Sequence, residues 1–220
     1  MKYLLTLNSL LYLLDAKWVL DKNPEQILDN DLCNILNEFS NKNPNVVLCT
    51  EPFTKSCFLN ELIKSVNFPI IFLDFDLLYS GYVKAEMISK SDKVTIYQPE
   101  KSTLKKILSE VAKKISEQKH LVIFDSFNGF YNLFSEIESG IFINTITMLF
   151  SSISKQKNSM IVVSAMARKK EEEGWILLPG GRHVVESQNS GMYYLKRAEK
   201  SLIFSSISSA ESKKIFRIED

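Results

Sequence analysis

The sequence predicts an α/β fold with a mostly parallel sheet that is covered by helices on both faces. From residue 45 onward, short apolar runs alternate with segments of helical period. Continuous apolar runs of this kind are typical of parallel strands, because helices cover both faces of such a sheet. Near the end of the chain, three strand-like segments follow one another without a helical period between them. These segments predict an antiparallel extension of the sheet.

The elements are predicted in a regular order. Five buried strands are expected at residues 46–50, 69–74, 94–97, 120–125 and 160–164. Helices are expected at residues 55–66, 102–118 and 141–153, where apolar residues recur every three to four positions. The terminal strands are expected at residues 192–197, 201–206 and 214–218. Aromatic residues after the fourth strand, at 127, 130, 131 and 134, are expected in the core.

Length and composition fit a globular protein with a full core. The chain has 220 residues, of which 45% are hydrophobic and 24% are charged. Its net charge is +1, so no global field attracts nucleic acid. The three cysteines lack C-x-x-C spacing and the two histidines lie far apart, which argues against a zinc site. Sparse cysteines favour a reducing, cytoplasmic location.

Residues 1–44 are predicted to form an N-terminal helical segment, and residues 45–220 the core domain. The apolar run from residue 3 to residue 14 is too short to cross a bilayer, which takes about 20 apolar residues. We therefore expect no membrane contact. One helical stripe in this segment is apolar and either packs on its own domain or docks on another protein. The stripe consists of Leu4, Leu7, Leu11, Leu14 and Trp18.

The strongest functional pattern lies in residues 46–62. A strand, a tight loop that ends in Lys55 and Ser56, and a helix have the layout of a phosphate-binding P-loop. The pattern G-x-x-x-x-G-K-[ST] needs glycines so that backbone N–H groups can surround a phosphate. Cys49 and Thr54 stand where those glycines belong, and no glycine precedes Gly81. The sequence therefore predicts an ATPase-like fold that has lost its nucleotide cradle.

Four segments resemble the RecA/RadA recombinase family, in the same order as in that family. PIIFLDFD at residues 69–76 is similar to the family's strand ending in I-D-T-E, and KHLVIFDSFNGFY at 119–131 resembles its Walker B strand. PGGRHVVESQNSGMYYLKR at 179–197 resembles its P-x-G-G run, and residues 198–220 resemble its closing hairpin. The resemblance implies a RecA-like P-loop NTPase core, of an archaeal RadA or RadB paralogue or a KaiC-like relative.

The resemblance also implies vestigial positions for ATP and Mg²⁺. Lys55 and Ser56 would contact phosphate and Mg²⁺, Asp125 would hold Mg²⁺, and Asp76 would position a water molecule. The residues themselves allow a structural interpretation of each position. Lys55 would then be solvated and Ser56 would be a helix N-cap. Asp125 would end a strand and bind a backbone N–H or Lys55, and Asp76 would be a turn or cap residue.

Three departures from the family pattern argue against ATP hydrolysis. The phosphate loop, TEPFTKS at residues 50–56, contains no glycine and is one residue shorter than the family's loop. Asp76 is shorter than the catalytic glutamate that the family has there. Ala165 and Met166 replace the Asn and Gln of the family's T-N-Q run, whose Gln senses the terminal phosphate in that family.

A possible nucleic-acid element lies in residues 168–182, where the resemblance implies a DNA-contacting loop. Its basic residues would neutralise phosphates, and an aromatic residue would stack on a base. These candidates are Arg168, Lys169, Lys170, Arg182 and Trp175. Three glutamates at 171–173 oppose this interpretation. The alternative is a charged loop that is only solvated.

The sequence as a whole predicts a catalytically silent RecA-like paralogue without a cofactor. It would act as an accessory subunit in DNA recombination or repair, by binding a RecA/RadA-type partner or a second copy of itself, and single-stranded DNA. Two alternatives remain open. One is an active ATPase that binds ATP and Mg²⁺ through an unusual phosphate loop. The other is a RecA-like scaffold subunit of an Elongator-type assembly that binds tRNA.

Overall fold

A computed structural model describes residues 29–134, 139–171, 174–178, 188–198, 201–207 and 212–217. The strands within these residues are β1 (Asn45–Cys49), β2 (Ile70–Asp74), β3 (Val94–Tyr97), β4 (Leu121–Asp125), β5 (Met160–Lys170), β6 (Gly174–Leu177), β7 (Gly191–Ala198), β8 (Ser201–Ser206) and β9 (Ser212–Arg217). The helices are α1 (Asp29–Asn41), α2 (Pro52–Ser65), α3 (Leu78–Lys84), α4 (Leu104–Glu117), α5 (Phe127–Asn132) and α6 (Ser139–Ser154).

The described strands form one sheet in the order β3-β2-β4-β5-β1-β7-β8-β9, and β6 pairs with β5. The pairs from β3 to β7 are parallel. The pairs of β7 with β8, of β8 with β9 and of β5 with β6 are antiparallel. The predicted α/β fold class is confirmed in its mostly parallel sheet and in its antiparallel C-terminal strands.

Helices cover both faces of the sheet, because each face presents a continuous set of apolar side chains. On one face, α1, α2 and α3 pack on residues such as Val47 and Ile123. On the other face, α4, α5 and α6 pack on residues such as Leu48 and Phe124. The aromatic residues Phe127, Phe130 and Tyr131 are buried there, which confirms them as core residues.

Two elements differ from their predicted bounds in ways that affect the site. Helix α2 begins at Pro52 and not at Lys55, because proline fits the first turn of a helix, where its missing N–H would be unpaired anyway. Strand β5 continues to Lys170 and pairs with β6, so residues 168–170 and 174–177 are not an irregular loop. These paired segments are called the β5–β6 hairpin below.

Helix α1 lies within the predicted N-terminal segment and packs on the core through Leu32, Ile35 and Phe39. The predicted stripe of residues 4–18 lies outside the described residues. In the part of the chain that the structure describes, no helix is both long and apolar enough to span a bilayer.

Candidate functional site

The sheet register brings the candidate residues together at the carboxyl ends of the parallel strands. Phe124 of β4 pairs with Val163 of β5, so Asp125 and Ser164 come next, side by side. Side chains alternate along a strand, and Leu121 and Ile123 face α2. Asp125 therefore faces α2 as well. Ligands in open α/β sheets bind at this edge, which makes the edge the candidate functional site.

Lys55 lies between two carboxylates at this edge. Its Nζ is 2.5 Å from Asp125 Oδ1 and 3.0 Å from Asp76 Oδ2. The side chains of Lys55 and Asp125 are 1% and 0% exposed, and that of Asp76 is 18% exposed. Burial alone would lower the pKa of Lys55, but the attraction of Asp125 and Asp76 outweighs burial and raises this pKa. The lysine is therefore charged, and these three residues are called the ion cluster.

Two serine hydroxyls complete the ion cluster. Ser126 donates a hydrogen bond of 2.6 Å to Asp76, and Ser164 donates one of 2.5 Å to Asp125 Oδ1. The second oxygen of Asp125, Oδ2, has no partner among the described residues. A buried carboxylate in this position depends on Lys55 for its charge balance.

The start of α2 differs from a phosphate loop. Glu51 is the N-cap, and Pro52 at the next position has no N–H. The Lys55 N–H donates to the Glu51 carbonyl at 3.2 Å, so this group belongs to the helix. Thr54 donates to the Glu51 carboxylate at 3.0 Å, which holds a negative charge at the positive end of the helix. The Glu51 carboxylate therefore opposes the binding of a phosphate at this helix end.

The structural interpretations of Lys55 and Ser56 are both wrong. Lys55 is not solvated, because two carboxylates balance its charge inside the protein. Ser56 is not the N-cap, because α2 begins four residues before it, and its Oγ donates to the Pro52 carbonyl at 3.1 Å. For Asp125, the alternative with Lys55 as its partner is the one observed. Asp76 pairs with Lys55 and accepts from Ser126.

The basic candidates in the described part of residues 168–182 lie on a strand. Arg168 and Lys169 are exposed and Lys170 is partly exposed, all on β5. Lys169 pairs with Trp175 across the hairpin. The Trp175 ring is half-buried and lies 4.5 Å from the Tyr194 ring on β7. Arg182 lies outside the described residues. Residues 168–170 are therefore on a paired strand and not in a loop, whereas the exposure of Arg168 and Lys169 leaves the solvated alternative open.

Sequence reasoning missed several residues that shape the site. Ser126 is the N-cap of α5 and accepts a hydrogen bond from the Gly129 N–H. A Cβ at Gly129 would collide with Asp76 Oδ1 and lie 2.9 Å from the carbonyl carbon of Phe75. Asn128 binds the backbone of Met166. The available signal for the start of this helix was Ser126, because serine is favoured at the N-cap of a helix and this serine directly follows a strand.

The charge of Lys55 is already balanced by two carboxylates of the chain. A phosphate that reached Lys55 would displace a carboxylate and leave it buried without a counter-charge. Within the described residues, no group of three His, Cys, Asp or Glu side chains is arranged to hold a metal ion. No protein-family model matches the chain, and no curated protein matches it. The resemblance to the RecA/RadA family therefore stays a prediction.

Proposed function

We propose that the protein is a catalytically silent RecA-like paralogue that acts by binding, as an accessory subunit in DNA recombination or repair. One observation supports the silent site above all others. The ammonium group of Lys55 is buried between Asp76 and Asp125, so its charge is already balanced within the chain. Phosphoryl transfer requires free positive charge at the γ-phosphate, and this lysine does not supply it.

The nucleic-acid half of the proposal depends on the β5–β6 hairpin. Its antiparallel pairing supports Arg168 and Lys169 on a regular element, where they are exposed. Exposed basic side chains bind nucleic-acid phosphates through charge, and the affinity falls with salt. Trp175 and Lys169 lie on the same face of the hairpin, since the two residues pair across the strands. The partner for this surface is single-stranded DNA.

The partner half of the proposal is a RecA/RadA-type protein or a second copy of this chain. Helix α6 supports it, because its 16 residues include no charged side chain. Ile141 and Leu149 on this helix are 74% and 48% exposed. Large exposed apolar side chains on an uncharged helix are typical of a surface that another protein covers.

Calorimetry with Mg-ATP tests the silent site. We expect no binding heat from the wild-type protein at micromolar to millimolar ATP. Micromolar binding that disappears in a Lys55→Ala variant shown by circular dichroism to be folded, but persists in the control Lys64→Ala on the same helix, would instead favour the active-ATPase alternative. Lys64 is a suitable control because its side chain is 53% exposed and its partner among the described residues is Glu61, in an ion pair at the surface.

A parallel titration with single-stranded DNA and with tRNA tests the binding half. Tighter binding of single-stranded DNA supports the proposal. Binding of tRNA alone would favour the Elongator-type alternative. Absence of binding to both at low salt would refute the nucleic-acid half.

A further inference from the structure

A continuous series of side-chain contacts joins the ion cluster to the β5–β6 hairpin. Lys55 pairs with Asp76 at 3.0 Å, and Ser126 donates to the same Asp76 oxygen at 2.6 Å. The Ser126 hydroxyl also lies 3.3 Å from Asn128 Oδ1. Asn128 then binds Met166, the residue at which β5 leaves the parallel sheet.

The side-chain amide of Asn128 binds the backbone of Met166, beyond the point where β4 pairs with β5. The pairing of β4 with β5 ends at Phe124 and Val163, so β4 offers no backbone partner to Met166. Asn128 Oδ1 accepts from the Met166 N–H at 2.7 Å, and Asn128 Nδ2 donates to the Met166 carbonyl at 2.9 Å. An amide can do both because it carries a donor and an acceptor in one plane, as a peptide group does.

The same amide also reaches the other strand of the hairpin. Asn128 Nδ2 donates to the Leu178 carbonyl, and the Leu178 N–H donates to the Met166 carbonyl at 2.8 Å. Both strands of the hairpin are thus bound at their base by one side chain that is 9% exposed. Buried polar groups of this kind keep their partners, because an unpaired one is unfavourable in the interior.

We infer that Asn128 is a positioning residue for the β5–β6 hairpin and that Ser126 connects this positioning to the ion cluster. The ion cluster then has a role without a nucleotide, since it fixes the element that presents Arg168 and Lys169. That last step rests on the proposed function. The structural link itself does not depend on nucleic-acid binding.

Trp175 provides an internal reporter, since Trp18 is the only other tryptophan in the sequence. In a Trp18→Phe background, Asn128→Ala should shift the Trp175 emission to longer wavelength. Hydrogen exchange at residues 166–171 and 174–178 should become about tenfold faster or more, while exchange in β2 stays unchanged. The control Asn132→Ala, an exposed asparagine on the same short helix, should change neither quantity.

Two further variants test the link to the ion cluster. Ser126→Ala and Asp76→Ala should shift the emission in the same direction, because the first variant removes the hydroxyl beside Asn128 and the second removes the carboxylate that accepts from this hydroxyl. Unchanged emission and exchange in Asn128→Ala would overturn the positioning role. A response to Asn128→Ala but to neither of the other variants would overturn the link.

A measurement on the wild-type chain covers the case in which the variants do not fold. The Met166 amide should be protected from exchange, because the Asn128 side chain accepts its hydrogen bond. Rapid exchange at Met166 would overturn the inference. If the protein binds no nucleic acid, the nucleic-acid half of the proposed function fails, while tryptophan emission and hydrogen exchange still decide the positioning role of Asn128.

Discussion

At the scale of a single residue, the charge of Lys55 is what allows the carboxylates of the ion cluster to be buried. Replacement by methionine keeps most of the side-chain volume but leaves Asp125 buried without its counter-charge. We expect Lys55→Met to lower the free energy of unfolding by about 3–5 kcal/mol, as measured by urea denaturation. The exposed pair of Lys64 and Glu61 offers the control, and Lys64→Met should change stability by less than about 1 kcal/mol. Equal effects would contradict the buried-charge argument.

Gly129 is required by the close approach of its backbone to Asp76. An alanine methyl group there would occupy the space of the Asp76 carboxylate, so Gly129→Ala should lower the free energy of unfolding by about 1–3 kcal/mol. Gly81 on α3 has open space around it. Gly81→Ala should raise stability by roughly 0.5–1 kcal/mol, since alanine has the higher helix propensity. A destabilised Gly81→Ala or an unaffected Gly129→Ala would be inconsistent with this packing.

The raised pKa values of two cysteine thiols predict how thiol reactivity and the free energy of unfolding depend on pH. Burial raises the pKa of Cys49 to about 12 and that of Cys57 to about 11, whereas Cys33 is exposed. Iodoacetamide near neutral pH should therefore modify Cys33 alone in the folded chain, as read by mass spectrometry. In the unfolded chain, Cys49 and Cys57 ionise near the ordinary thiol pKa of 9.0. The free energy of unfolding should accordingly fall as the pH rises from 9 towards 12. Cys49→Ala should reduce this fall, and an unchanged fall would argue against a role for Cys49.

At the scale of elements, the parallel and C-terminal strands were predictable, whereas β6, the end of β5 and the shorter helices were not. Strands such as β2 and β4 are continuous apolar runs, because both of their faces are covered. Helix α3 has seven residues and α5 has six, which is too short for a helical period to appear in the sequence. The partners of Asn128 lie 38 and 50 residues away, at Met166 and Leu178. A local pattern contains no signal for contacts that depend on the sheet register.

The β5–β6 hairpin gives the prediction that belongs to this scale. Replacing Arg168, Lys169 and Lys170 with alanine should weaken binding of single-stranded DNA and reduce its salt slope by up to about 3, if each residue meets one phosphate. Fluorescence anisotropy at several salt concentrations measures both quantities. The matched control removes the same charge from exposed positions on α4, namely Lys105, Lys106 and Lys113. An equal loss in both triple variants would mean that only net charge matters.

At the scale of the whole molecule, the sheet order explains why the site could be predicted only in part. Asp125 ends β4, whereas Asp76 and Lys55 follow β2 and β1, and the parallel topology brings the ends of these strands to one edge. The sequence analysis could therefore name the pairing of Lys55 with Asp125 as one of its alternatives. The earlier start of α2 at Pro52, which removes the loop before Lys55, had a local signal in the sequence, because proline is favoured in the first turn of a helix.

The uncharged outer face of α6 gives the prediction at this largest scale. Ile141 and Leu149 are exposed on a helix without charge, and burying them against a second protein would remove apolar surface from water. For the self-association half of the proposal, we expect the wild-type chain to form dimers as its concentration rises. The variant Ile141→Ser with Leu149→Ser should remain monomeric. Sedimentation velocity distinguishes the two outcomes.

Leu77 supplies the control for this experiment, because its side chain is 57% exposed but lies before α3. Leu77→Ser removes a similar exposed apolar side chain from another surface, so it should leave the dimer intact. Loss of association in Leu77→Ser as well would mean that general surface hydrophobicity drives the contact. A wild-type chain that stays monomeric at every concentration would exclude self-association. Contact with a RecA/RadA-type partner would then remain, and the same double variant should abolish it if α6 is the contact surface.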